Sequence, residues 1–163
     1  MELEEIKLIL AIEPGAPLAT IISNEYKLFL FYLYDLNFVD SPSNDPNEIL
    51  GKDKGVANLS FKNYLVYKFG NPNAEAIGSH PYYHLGLDYY KIYQLHNSDW
   101  LVDIESRNKI HPFHDSNLYK KINHYIIAFE DSTFECLAEA ADLHFSPDIS
   151  MNNALMSISN SLF

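Results

Sequence analysis

At least five segments of this chain alternate residues with a period of two, and that period constrains the fold more than any other feature of the sequence. Ile6, Leu8, Leu10 and Ile12 alternate with Lys7 and Ala11 and stop at Pro14-Gly15. Leu18 to Ile22 reads as a second strand. Ser23-Asn24-Glu25 turns into a third, from Tyr26 to about Tyr34, whose Phe and Tyr residues occupy both faces and call for cover on both sides. Val56 to Phe61 and Tyr64 to Phe69 read as a hairpin turning near Lys62-Asn63. Asp88 to Leu95 sets Tyr90, Ile92 and Gln94 against Tyr89, Lys91, Tyr93 and Leu95. His124 to Phe129 and Thr133 to about Leu143 form a final pair. The second member fits a strand through Phe134, Cys136, Ala138 and Ala140, and a helix through Phe134, Leu137, Ala138 and Ala141.

Helical periodicity is clear once, over Asp99 to Lys109, with Ser98 as N-cap, Trp100, Leu101 and Ile104 on the apolar side, and His111-Pro112 as the stop. A short helical turn follows Asp115-Ser116. Residues 40–55 hold Asp, Ser, Pro, Asn and Gly and predict a mobile loop, and 70–86 is a second irregular stretch, of the length that often carries function. The tail, 146–163, is nearly uncharged and is read as a docked helix or a disordered end. With 163 residues in all, the expectation is one α+β domain, mainly antiparallel β, sandwich or barrel-like, with about 6–8 strands and one main helix near 98–109.

Twenty-two acidic residues against eleven basic give a net charge of −11. A phosphate backbone is met by a surplus of Lys and Arg, so this field excludes nucleic-acid binding over a broad surface and favours encounter with a basic protein or a cation. Cys136 is the only cysteine, which excludes an intrachain disulfide and a Cys-rich zinc site. The opening Met1-Glu2-Leu3-Glu4-Glu5 is acidic where a signal peptide is basic, and apolar runs such as Leu28 to Leu33 are too short to span a bilayer. These features predict a cytoplasmic protein with no membrane partner.

The sequence lacks a Gly-rich phosphate loop, a serine elbow between glycines, a paired-His zinc helix and a paired-Cys motif. Its polar residues gather instead in the second half: Glu75, His80, Asn97, Ser98, Glu105, Asn108, His111, His114, His124, Asp131 and Glu135, with Cys136 beside the last. Asn73-Ala74-Glu75-Ala76, Gly78-Ser79-His80-Pro81, Gly86-Leu87, Asn97-Ser98-Asp99-Trp100, Glu105 to Asn108, His111 to His114, His124-Tyr125 and Phe129 to Cys136 follow one another as an ordered set. In that set the segment Phe69 to Ala138, 70 of the 163 residues, resembles an uncharacterised family of bacterial proteins with Asn-Ser-x-Trp, His-Pro-x-His and Asp-Ser-Thr-Phe-Glu-Cys motifs. The resemblance implies no activity. Two positions depart from its pattern: Ala74 stands where the family has Asp, and Glu130 where it has His.

Three chemistries suit these residue types. His80, His111 and His114 with Asp131 and Glu135 make a His/carboxylate set for zinc or another divalent metal, although the Pro after His80 and His111 favours extended backbone there. The same residues suit acid–base work, and Cys136 suits covalent catalysis if His124 or His114 serves as its base. A bonded structural network is the use without chemistry, with Asn97-Ser98 capping the helix and Asp131-Ser132-Thr133 forming a turn. The first functional expectation is a non-enzymatic binding protein that needs no cofactor, in its sharpest form an acidic, immunity-type partner of a basic toxin. The alternative is a small His/Asp/Glu enzyme or metal-dependent hydrolase with a site between residues 73 and 135. His111, His114, Asp131, Glu135 and Cys136 are its catalytic candidates; His80, Glu75, Asn97 and Asn108 are binding candidates. Either way, His80, His111, His114, Asp131 and Glu135 are expected to converge.

Overall fold

Period-two alternation becomes strand nearly everywhere it occurs, and every strand pairing among the described residues is antiparallel. The computed structural model describes residues 1–7, 11–35, 54–147 and 149–162. Ten strands lie within them: β1 (Glu2–Ile6), β2 (Ala11–Ile12), β3 (Thr20–Ser23), β4 (Leu28–Asp35), β5 (Lys54–Lys62), β6 (Val66–Gly70), β7 (Lys91–His96), β8 (Asn123–Ala128), β9 (Thr133–Ala138) and β10 (Ala140–Ser146). One sheet runs β1-β7-β8-β9-β6. The other runs β10-β5-β4-β2, with β3 also paired to β4. The α+β, strand-dominated architecture expected from the alternation is present, with more strands than expected. Most of the loop predicted at 40–55 lies outside the described residues, but Lys54 and Gly55 belong to β5. Gly55 is required there, because a Cβ on it would run into the ring and hydroxyl of buried Tyr34.

The expected hairpin over 56–69 is not one. β5 pairs with β4 and β10, whereas β6 pairs with β9 in the other sheet. Asn63, at φ 49°, bends the chain from one sheet into the other. Its partner strand bends at the same level, where the single residue Glu139 separates β9 from β10. Glu139 N–H donates to Lys62 O at 3.0 Å, Leu65 N–H to Leu137 O at 2.8 Å, and the Asn63 amide to Glu139 Oε2 at 2.6 Å. A two-stranded ribbon thus turns a corner and curls the two sheets into a half-barrel, a known way for strands to switch sheets.

Between the sheets lies the main core: Leu28, Leu30, Tyr32, Leu59 and Phe61 from one side meet Ile92, Ile127, Phe134 and Cys136 from the other. Each such side chain, fully buried, contributes about 1.5–3 kcal/mol. The outer faces are covered too. Beyond the first sheet, Tyr93, Leu95, Ile126 and Ala128 pack under Ile77, Tyr82 and Leu87 of the 74–87 segment. Beyond the second, Phe31 and Val56 pack under Ala154 of helix α3 (Met151–Leu162), so the tail is a docked helix. Cover on both faces explains why 133–143 also fitted a helix: every residue of β9 is buried, whichever way it points. Helix α1 (Asp99–Asn108) and the single turn α2 (Ser116–Tyr119) stand where the sequence puts them, capped by Ser98 and Asp115. No helix among the described residues is long and apolar enough to cross a membrane.

Candidate functional site

The β8–β9 hairpin fixes the site. Its turn pairs Ala128 with Thr133, so Ile126 lies opposite Glu135 and His124 opposite Leu137. Register by twos then puts His124 and Glu135 on the outer face of the first sheet, and pairing of β6 with β9 brings Lys68 beside Glu135. His80 arrives from above. Its segment is anchored to the hairpin turn by Ala74 N–H to Glu130 O at 2.8 Å and by the Thr133 hydroxyl to Pro72 O at 2.8 Å. Ser98 comes from the β7–α1 junction.

These side chains form one buried chain of contacts. Ser98 Oγ lies 2.8 Å from His124 Nδ1, and His124 Nε2 lies 3.0 Å from Glu135 Oε2. The other carboxylate oxygen faces His80 Nε2 at 3.7 Å and Lys68 Nζ at 3.5 Å. Tyr82 N–H donates to His80 Nδ1 at 3.3 Å, leaving Nε2 of a neutral His80 to carry the proton toward Glu135. Rings close the site: Tyr82 and Trp100 meet His124 edge-on at 5.7 and 5.2 Å, and Lys68 Nζ sits 3.7 Å from the Trp100 ring centroid, a cation–π contact. The Tyr82 hydroxyl donates to Asp99. Ser98, His124, His80 and Glu135 are all buried.

Burial by itself would raise the Glu135 carboxyl. The hydrogen bonds from His124 and His80 and the charge of Lys68 outweigh it and hold the carboxyl well below its usual range. Glu135 is therefore an ionised carboxylate inside the fold, held by two imidazoles and one ammonium.

The convergence expected from the sequence is half present. His80 and Glu135 meet; His111, His114 and Asp131 lie elsewhere. His111 and His114 belong to the α1–α2 connection. His114 contacts Asn108 Oδ1 at 3.1 Å, Ser116 Oγ at 3.2 Å and Glu105 Oε1 at 3.7 Å, while exposed His111 accepts Phe113 N–H at 3.2 Å through Nδ1. Asp131 is exposed on the β8–β9 turn, beside Pro17 and Phe69. Glu75 is exposed in the first turn of the short 74–79 helix, Asn97 is exposed at φ 55°, and Asn108 spends its carbonyl on His114. Cys136 points into the main core, on the opposite face of β9 from Glu135, and burial pushes its thiol well up. His124 faces away from it and His114 lies on another element, so neither is its base. Among the described residues, no group of three or more His, Cys, Asp or Glu converges to hold a metal ion.

In sequence Ser98 reads only as a cap and His124 only as a base for Cys136, and nothing local marks Lys68, Tyr82 or Trp100 for this role. The hairpin register carried the missing signal: once Ala128 faces Thr133, His124 and Glu135 must share a face.

A second feature stands on α1 and α2. Ile110 and Phe113 are 93% and 85% exposed, the most exposed large apolar residues among those described, and Val102 of α1 and Leu118 of α2 are exposed as well. Phe113 and Leu118 border a groove of about 270 Å³ with Leu65, Tyr119, Ile122 and His111. Comparison of the chain with protein-family models, curated proteins and solved structures finds no match.

Proposed function

We propose that this protein is a cytoplasmic binding module whose contact surface is the α1–α2 hairpin, and that its partner is a basic protein. The exposure of Ile110 and Phe113 carries the reading. Two large side chains held in water at a tight helical connection gain nothing for the fold, and such patches mark contact sites. Charge supports it. Between Asp99 and Lys121, four acidic residues (Asp99, Asp103, Glu105, Asp115) balance four basic ones (Arg107, Lys109, Lys120, Lys121), so the whole acidic surplus lies outside this segment. An apolar, locally neutral contact set in an acidic field draws a basic protein by long-range attraction without desolvating charge at the interface centre. The Ser98 cap, tied through His124 and Glu135 to the sheet, fixes the start of α1 and thus the placement of that surface. An immunity-type role against a basic toxin is the sharpest form of this proposal.

The test is chemical crosslinking in cytosol with the parent chain and an I110S/F113S variant. The parent is expected to capture a basic protein that the variant loses, and raising the salt concentration should weaken the capture. Identical captures by both chains would remove the α1–α2 surface from consideration.

A further inference from the structure

Ser98 stands where a strand meets a helix. β7 ends at His96, Asn97 takes a left-handed φ of 55°, and Ser98 then caps the ten-residue helix α1. Leu101 N–H donates to Ser98 Oγ at 3.2 Å; because the ionised Glu135 carboxylate can only accept from Nε2, Nδ1 of a neutral His124 is left to accept the Ser98 hydroxyl at 2.8 Å. With Nδ1 accepting, the ring proton sits on Nε2 and goes to Glu135 Oε2 at 3.0 Å. A hydroxyl that donates to an imidazole whose other nitrogen donates to a carboxylate has the proton order of an activated serine nucleophile. Relative to the serine-protease relay, the two ring nitrogens exchange roles. Capping alone does not require this arrangement, since the cap uses only the oxygen's acceptor side.

Space exists beside it. A cavity of about 340 Å³ reaches both Ser98 and His124, and Leu95, Leu101, Val102 and Ile122 form its apolar wall. We propose that Ser98 is an acyl-accepting nucleophile with His124 as its base, acting on small carboxylic esters whose acyl group lies against that wall. In the first half-reaction Ser98 Oγ bonds to the ester carbon while its proton passes to His124 Nδ1. The bond to the alcohol oxygen then breaks, and the departing alcohol takes that proton. Water, deprotonated by the same nitrogen, cleaves the acyl-serine to the free acid and restores the hydroxyl. Glu135 is a positioning residue: it fixes the ring tautomer and stabilises the imidazolium. Of the first-turn N–H groups of α1, Leu101 N–H is held by Ser98 Oγ and Trp100 N–H by Asp99 Oδ1, so the developing oxyanion is met by the positive end of the helix and not by free donors. This inference stands apart from the binding reading, which survives if it fails.

The 163-residue chain is incubated with a fluorophosphonate probe, and separately with p-nitrophenyl butyrate. The expected result is one covalent adduct, mapped to Ser98, with ester hydrolysis lost as the adduct forms. S98G should lose both while remaining folded, because Gly keeps most of the stability of a helix N-cap and the loss is confined to the hydrogen bond with His124. E135Q should slow labelling by about a hundredfold, within the range for a disrupted proton relay. An unlabelled Ser98 in the native chain, labelling undiminished in S98G or seen only after unfolding, or an E135Q rate equal to the parent's, would each overturn the proposal.

Discussion

The outer face of the first sheet and the α1–α2 hairpin hold similar polar residues and end in opposite states. His80 and His124 are closed in by Tyr82 and Trp100 and bonded to a carboxylate, whereas His111 lies open to water beside Phe113. The difference lies in the backbone beneath them. β8 and β9 fix side chains by register, so a His and a Glu on one face must meet. The hairpin has one ten-residue helix and one four-residue turn, and its His side chains find partners within the hairpin itself. The closed region specifies geometry; the open one offers surface.

The sharpest way to break this contrast is Glu135→Ala. Removing the carboxylate strands two imidazoles and the Lys68 ammonium around a vacated space, and a loss of about 3 kcal/mol is expected in urea unfolding. A loss under about 1 kcal/mol, the size of a surface effect, would mean that the closed region is no more structural than the hairpin. Acid titration sharpens the same point. The Glu135 carboxyl is held below its unfolded value, so its contribution is complete above about pH 4.3 and drains away as the pH falls through the lower folded value. E135Q should flatten the acid limb of a thermal-stability profile while leaving the neutral-to-alkaline shape unchanged.

Ser98→Ala comes next, at about 1–2 kcal/mol, since it removes an N-cap and leaves His124 Nδ1 without its donor. Calorimetry should place Ser98→Gly between it and the parent. The smallest effect belongs to the open region. A H111A/I110S/F113S chain should unfold within about 0.5 kcal/mol of the parent. A larger loss would show that these side chains support the fold and are not held out for a partner.

Much of the fold was legible because a strand's period is local. Ser98 and Asp115 announced their helices by their chemistry, and Trp100, Leu101 and Ile104 gave α1 its side. The corner was not legible. Lys62-Asn63 looks like a hairpin turn in sequence, and only the matching bend at Glu139, 76 residues after Asn63, makes it a passage between sheets. The site divided along the same line. His80 and Glu135 come together because an anchored loop and a registered strand bring them there. Asp131, on the turn of the same hairpin, is carried to its far end beside Pro17, and nothing local foretells which end a turn occupies.

The docking of α3 over β4 also sets an order on synthesis. A ribosome delivers β4, with Phe31 and Tyr32, long before β10 reaches β5 or Ala154 reaches Phe31. Until then a strand apolar on both sides has neither its ceiling nor its floor, the condition in which nascent chains stick to one another. Chains cut off before β10 should therefore be recovered as aggregates, and the 163-residue chain in solution.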